Sequence, residues 1–187
     1  MTKKELRKLY KQRRFNISPK EKLKWDDLIL LQLQKFDFGN ADTLFTYWDI
    51  NNEPNTQILS SYLKHTIPNL QICYPVIDFA TCNMNAILTN EDTIFTTNEY
   101  GITEPTHGVE MHAIDLDIIF VPLLICDMQG SRVGYGKGFY DKYLSQTRAD
   151  AITIGFNYFA PIDKIDDAKE FDIPLNYCIT PEKIYEF

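Results

Sequence analysis

Leu6, Leu9 and Tyr10 stand at helical spacing in a segment otherwise made of charged and polar residues, which predicts a helix over residues 2–15 with one apolar face. Asn16-Ile17 interrupts that period. Ser18-Pro19-Lys20-Glu21 follows with three helix-start signals: a capping hydroxyl, proline at the first helical position and glutamate at the third. The second helix is expected from 19 to about 36, burying Leu23, Ile29, Leu30 and Leu33. Thr43 to Trp48 then reads as an aromatic-rich strand, and a polar loop from Asp49 to Asn55 leads to a helix from Thr56 to Lys64. Ile72 to Pro75 starts the next strand, with Ala86 to Leu88 and Thr93 to Phe95 as weaker strand candidates and residues 98–112 irregular. The apolar run Ile118 to Leu123 has the near-continuous character of a strand buried on both faces. A helix to about Gln146 and strands at Ile152–Phe156 and Tyr177–Thr180 complete the pattern.

Strands alternating with helices predict an α/β fold. We expect a single domain over residues 1–187, with a mainly parallel sheet flanked by helices in a Rossmann-like three-layer arrangement. Ligands of such sheets collect beyond the carboxyl ends of the strands, so the loops after Trp48, Ile125 and Phe156 become candidate neighbours.

Charge changes this picture in one place. The chain carries a net charge of −7, which argues against a broad nucleic-acid surface, yet Lys3, Lys4, Arg7, Lys8, Lys11, Arg13 and Arg14 all fall in the first helix. By itself such a helix reads as a solvated basic face or a nucleic-acid arm. The four cysteines are scattered, without metal-ligand spacing, and three lie in or beside apolar runs as expected for buried thiols. His65, His107 and His112 also lack metal-ligand spacing. A charged N-terminus with no signal-peptide core and no run of membrane-spanning length point to the cytoplasm.

The most informative stretch runs from Cys126 to Asp141. Four of the eight glycines, Gly130, Gly134, Gly136 and Gly138, fall within nine positions there, interleaved with Arg132 and Lys137. The preceding apolar run and the following amphipathic one give the order strand, glycine-rich loop, helix. Glycine lets backbone N–H groups approach an anion closely, and a helix start adds unpaired N–H groups. With two cations present, the loop is expected to hold nucleotide phosphates. It matches neither the Gly-x-x-x-x-Gly-Lys-Ser/Thr pattern nor Gly-x-Gly-x-x-Gly, and a ligand-free surface loop is the alternative.

These segments resemble the 5-formyltetrahydrofolate cyclo-ligases, also called methenyltetrahydrofolate synthetases. Asp127-Met128-Gln129-Gly130-Ser131-Arg132-Val133-Gly134-Tyr135-Gly136-Lys137-Gly138-Phe139-Tyr140-Asp141 is similar to the family's glycine-rich motif. Lys3-Lys4-Glu5-Leu6-Arg7 resembles its opening segment, Glu53-Pro54-Asn55-Thr56 its Glu-x-x-Thr, Tyr100 to Pro105 its Trp-Gly-Ile-x-Glu-Pro turn, and Glu170 to Pro174 an acidic His-Asp segment. Tyr100 and Phe171 depart from the tryptophan and histidine of the pattern.

The resemblance implies magnesium- and ATP-dependent closure of 5-formyltetrahydrofolate to 5,10-methenyltetrahydrofolate. It implies catalytic roles for Arg132 and Lys137, and ATP contacts from Lys3, Lys4, Glu5, Leu6 and Arg7 and from Arg132, Val133, Gly134, Tyr135, Gly136, Lys137, Gly138, Phe139 and Tyr140. Folate contacts are implied for Trp48, Glu53 and Tyr135 to Phe139, and magnesium contacts for Asp141 and Asp172. Glu53 is the expected pterin reader, since a carboxylate accepts two parallel N–H bonds from an aminopyrimidine edge. Each role has a bland rival: a solvent-facing acid for Glu53, a first-turn helix acid for Asp141, an ordinary loop acid for Asp172, core packing for Trp48 and Tyr140. The implied substrate is a reduced folate, with or without a polyglutamate tail, and no nucleic-acid or membrane partner is expected. Oligomeric state is open, with a monomer as the default. Rival functions are another small-molecule kinase or ligase on the same loop, or a non-catalytic nucleotide- or RNA-binding module.

Overall fold

A computed structural model describes residues 1–169 and 171–187. Glu170, at the start of the acidic segment near the C-terminus, lies outside the described residues. Helix α1 spans Lys3–Phe15, opened by a capping box in which Thr2 and Glu5 exchange hydrogen bonds, and α2 spans Pro19–Leu33 with the same arrangement between Ser18 and Glu21. Strand β1 is Thr43–Phe45, α3 is Thr56–Thr66, β2 is Gln71–Asp78 and β3 is Asn83–Thr89. Then come β4 (Phe95–Thr97), β5 (Thr103–Pro105), β6 (Val109–Met111), a short 3-10 turn at Ala113–Asp115, and β7 (Ile118–Phe120). The C-terminal third holds β8 (Ile125–Cys126), β9 (Arg132–Val133), α4 (Phe139–Leu144), β10 (Ile152–Phe156), β11 (Tyr177–Ile179) and β12 (Ile184–Glu186).

Eight strands form the main sheet in the order β12-β11-β10-β7-β1-β2-β3-β6. The five central strands from β11 to β2 are mutually parallel, and β12, β3 and β6 are antiparallel additions at the two sides. Side chains alternate across this sheet. Leu44, Ile118, Phe120, Ile154 and Ile179 face a core shared with Ile29 and Leu33 of α2 and Leu59 and Leu63 of α3. Phe45, Ile119 and Cys178 face a second core shared with Tyr143 and Leu144 of α4. Both faces are therefore covered, and β7 is fully buried as its continuous apolar run predicts. Cys73, Cys126 and Cys178 are buried free thiols.

Several sequence expectations are corrected. Residues 98–112 contain β5 and β6, and β4 starts at Phe95, pairing with β5 in a ribbon outside the main sheet. These segments are too short and polar for a period-2 pattern to register. Leu23 is 63% exposed and Leu9 is exposed as well. Each lies off the stripe that its helix actually buries, which is Asp26-Ile29-Leu33 in α2 and Leu6-Tyr10-Arg14 in α1. Helix α1 covers neither face of the main sheet: Leu6 and Tyr10 pack on Leu124, Ile125 and Val133 in a third, smaller core.

Candidate active site

The segment read as one glycine loop divides in two. Strands β8 and β9 pair as a small hairpin between the end of β7 and α4. Gly130 makes its turn at φ +79°, and a Cβ there would lie 2.6 Å from the Leu175 carbonyl. The buried Asp127 fastens the turn, accepting from the Gln129, Ser131 and Ile165 amides at 3.0 Å each. Asp127 and Gly130 are thus scaffold, and the loop open to a ligand shortens to Gly134–Gly138. Gly136 sits at φ +97° with the Arg7 guanidinium 3.2 Å from where its Cβ would be. Any other residue there would strain the backbone and push the Arg7 guanidinium back by a few tenths of an ångström.

This loop borders a cavity of about 570 Å³, within the range of small-molecule sites. Its walls come from α1, the loop after β1, β2, the turn around Tyr100, the glycine loop, and Asp167, Lys169, Phe171 and Asp172. One end is ionic. Lys3 donates to Asp172 at 2.5 Å, Arg7 Nε donates to the Gly134 carbonyl at 2.9 Å, and Arg132 pairs with Asp141 at 2.8 Å. Arg132 also donates to the Ile173 carbonyl. Lys137 is exposed at the rim and has no ion-pair partner among the described residues. Burial pulls the Arg132 pKa down against the opposing pull of Asp141 and Asp172. Burial raises the Asp172 carboxyl, but hydrogen bonds from Lys3 and the Lys169 amide outweigh it and hold the pKa below the ordinary value.

The other end is aromatic and apolar, walled by Tyr47, Trp48, Ile77, Phe79 and Tyr100. Phe79 and Tyr100 stack with centroids 4.0 Å apart. Two buried polar atoms on this side, Trp48 Nε1 and Tyr140 Oη, have no partner among the described residues. Glu53 lies between the two ends, 1% exposed. Its Oε1 accepts from Tyr135 Oη at 2.6 Å and its Oε2 from the Ile50 amide at 3.0 Å. Burial pushes its pKa up to about 7, against the nearby Arg14 charge and the Tyr135 hydrogen bond.

Lys3, Arg7, Trp48, Glu53, Arg132, the residues from Gly134 to Asp141, and Asp172 thus meet around one cavity. Four other sequence candidates do not line it. Lys4 and Glu5 are exposed on α1, with Glu5 engaged by Thr2, while Leu6 and Val133 pack in the third core. Asn55, rather than Thr56, caps α3 by accepting from the Ile58 amide at 3.1 Å, and Glu53 is no solvent-facing acid. Of the turn resembling the family pattern, Tyr100 and Ile102 line the cavity, while Glu104 accepts from the Ile77 amide at 2.8 Å and from Asn98 at 2.9 Å. Sequence reasoning missed Asp167, whose carboxylate accepts from the Lys3 amide at 2.6 Å, and Arg14, buried behind Glu53. The available signal for Arg14 was an arginine in register with Leu6 and Tyr10 on a buried stripe.

The model of the 5-formyltetrahydrofolate cyclo-ligase family matches residues 1–176. The chain belongs to this family. The cyclo-ligase of Haemophilus influenzae is 30% identical over 139 residues, covering 72% of this chain and 73% of its relative. Among solved structures, the fold is shared with the Aquifex aeolicus 5,10-methenyltetrahydrofolate synthetase at a TM-score of 0.82 and 23% identity, covering 100% of this chain and 93% of that one. It is shared also with the Mycoplasma pneumoniae synthetase at 0.77 and 24%, covering 97% and 99%.

Proposed function

We propose that this protein, as a single cyclo-ligase domain over residues 1–187, converts 5-formyltetrahydrofolate and ATP to 5,10-methenyltetrahydrofolate, ADP and phosphate. One observation carries the reading: a single cavity joins a cation-rich end bordered by glycine amides to an aromatic end with a buried carboxylate. The formyl oxygen is a poor leaving group, being part of an amide. It attacks the γ-phosphorus of ATP, ADP departs, and the oxygen becomes a phosphate ester. The adjacent anilinic nitrogen then adds to the formyl carbon, loses its proton, and phosphate leaves with the oxygen as the ring closes.

Such a reaction needs positioning and charge neutralisation more than a protein nucleophile. Lys3, Arg7, Arg132 and Lys137, with the amides of Gly134–Gly138, bind the phosphates and neutralise charge on the transferring group. Tyr140 lies at the start of the helix beyond them, and Trp48 with Phe139 walls the folate. Glu53 reads the pterin edge. Each of its oxygens has a second lone pair beyond the protein hydrogen bond it accepts, which leaves room for two ligand donors.

Asp141 and Asp172 suit magnesium, which takes one or two carboxylates plus phosphate oxygens. Both line the ionic end, and each uses only one of its oxygens in the contacts with Arg132, Lys3 and neighbouring amides. When bound, the ion supplies charge neutralisation to the phosphates. We place the protein in the cytoplasm, acting on a reduced folate, tailed or not, without nucleic acid. Four free cysteines support a reducing compartment, and no helix among the described residues is long and apolar enough to cross a membrane.

The test mixes protein, magnesium, ATP and 5-formyltetrahydrofolate and follows methenyl absorbance and phosphate release in equal amounts. A folded, ATP-binding protein that leaves this folate unchanged overturns the assignment. A phosphorylated product that persists favours a kinase, and steeply salt-dependent RNA binding without turnover favours the binding module.

A further inference from the structure

Arg14 is a charge that the chemistry above does not employ, and among the described residues two of its three guanidinium nitrogens have hydrogen-bond partners while the buried Nε has none. It is 1% exposed, on the stripe where α1 otherwise buries Leu6 and Tyr10. Nη2 donates to the Leu123 carbonyl at 2.8 Å and Nη1 to Tyr135 Oη at 3.2 Å. Nη1 also stands 3.7 Å from Glu53 Oε1, the same oxygen that Tyr135 reaches with its hydroxyl. Packing alone at this position calls for leucine, and a buried guanidinium without a compensating anion is strongly disfavoured. Among the described residues Glu53 is the one carboxylate within ion-pair reach of Arg14.

Glu53 can accept from two neighbouring pterin N–H groups only while ionised. A protonated carboxyl puts its own hydrogen where one of those donors must lie. The groups that face it are Arg14 from α1, Tyr135 from the glycine loop, Tyr140 from α4, and Tyr47 and Asp49 from the segment after β1. Arg14 is the sole cation among them. Burial and Asp49 disfavour the carboxylate, and Arg14, the Tyr135 hydroxyl and the Ile50 amide favour it.

We propose that Arg14 is the positioning residue of the folate end, keeping the Glu53 carboxylate ionised and aimed into the cavity through its own charge and through Tyr135. The ligand in this inference rests on the cyclo-ligase reading; the control of Glu53 by Arg14 belongs to the free protein and is measurable there.

The experiment is a ¹³C NMR titration of the Glu53 carboxyl, assigned by its loss in Glu53→Gln. It is run on free wild type, Arg14→Met and Arg14→Lys, beside pH profiles of kcat/KM for each substrate. In Arg14→Met the Glu53 midpoint is expected to rise by about 1–3 pH units, the effect of removing an opposite charge at this range. The acid limb for folate moves with it, and folate KM below the midpoint rises about tenfold per pH unit, while ATP KM is unchanged. Arg14→Lys restores most of the midpoint. An unchanged midpoint in folded Arg14→Met overturns the proposal. Where that variant does not fold, Arg14→Gln decides: it keeps a side-chain amide donor on the buried stripe and removes the charge. A raised midpoint with a folate-specific loss supports the proposal, and no change in either overturns it. A midpoint that rises in Arg14→Met, with a wild type that does not turn over folate, upholds Arg14's control of Glu53 and defeats the cyclo-ligase reading instead.

Discussion

Lys137→Ala and Arg132→Ala are expected to slow turnover alike and to part on stability. Arg132 is 5% exposed, and its guanidinium holds the Asp141 carboxylate and the Ile173 carbonyl. Truncating it leaves the Ile173 carbonyl without this donor and the Asp141 carboxylate with only a long contact from the Ile173 amide. Removing one partner of a fully buried ion pair costs about 3–5 kcal/mol. Asp141 is 31% exposed and rehydrates in part, so we expect about 2–3 kcal/mol here. For a chain of this length that lowers Tm by about 4–12 °C. Lys137 is exposed, and its loss should cost no more than about 0.5 kcal/mol. Both cations border the loop proposed to hold the phosphates, and deleting one transition-state donor typically costs about 10²–10³ in kcat. Calorimetry and methenyl absorbance at saturating substrates measure the two effects separately. Wild-type turnover in folded Lys137→Ala removes that residue from the mechanism, and a wild-type Tm in Arg132→Ala refutes the structural account of the Arg132–Asp141–Ile173 contacts.

Glu53→Gln should raise folate KM and leave ATP affinity nearly intact, because the amide puts a donor against the pterin's donors; impaired ATP binding with normal folate saturation reverses the division of the cavity. The same variant tests burial of the acid. A folded-state pKa raised from 4.5 to about 7 contributes stability that is present below pH 4.5 and lost as pH rises through 7. Wild type should therefore lose up to about 3 kcal/mol relative to Glu53→Gln across that window, and parallel denaturation curves at pH 4.5 and 7.5 would contradict this. Gly136→Ala must hold φ near +97° and push the Arg7 guanidinium away, at about 1–3 kcal/mol, and should raise ATP KM more than folate KM; equal effects on both would dissociate Arg7 from the phosphates. Chelation of magnesium should abolish turnover, and Asp141→Asn should raise the magnesium concentration giving half-maximal rate; an unchanged magnesium dependence moves the metal away from Asp141.

Local chemistry accounts for what was legible in the chain itself. Helix α2 opens at Ser18 because hydroxyl and carboxylate caps act within four residues. The burial of β7 on both faces and the α/β class follow from apolar runs alternating with helical periods, again a short-range signal. Gly134–Gly138 is visible for the same reason: glycines and cations bordering one anion must be close in sequence when one loop supplies them.

Only the tertiary structure decided what crosses long sequence distances. Lys3 meets Asp172 and Arg7 meets Gly134 because α1 packs on the β8–β9 hairpin instead of the main sheet, a docking fixed by Leu6, Tyr10, Leu124 and Val133 together. The hairpin itself consists of two-residue strands, too short to show a period, and it divides the glycine-rich segment into a scaffold turn and a ligand loop. Whether Glu53 is a surface acid or a buried one depends on Arg14 and Tyr135 arriving from two distant parts of the chain. Burial and charge compensation are sums over neighbours in space, and a linear pattern holds only the neighbours along the chain.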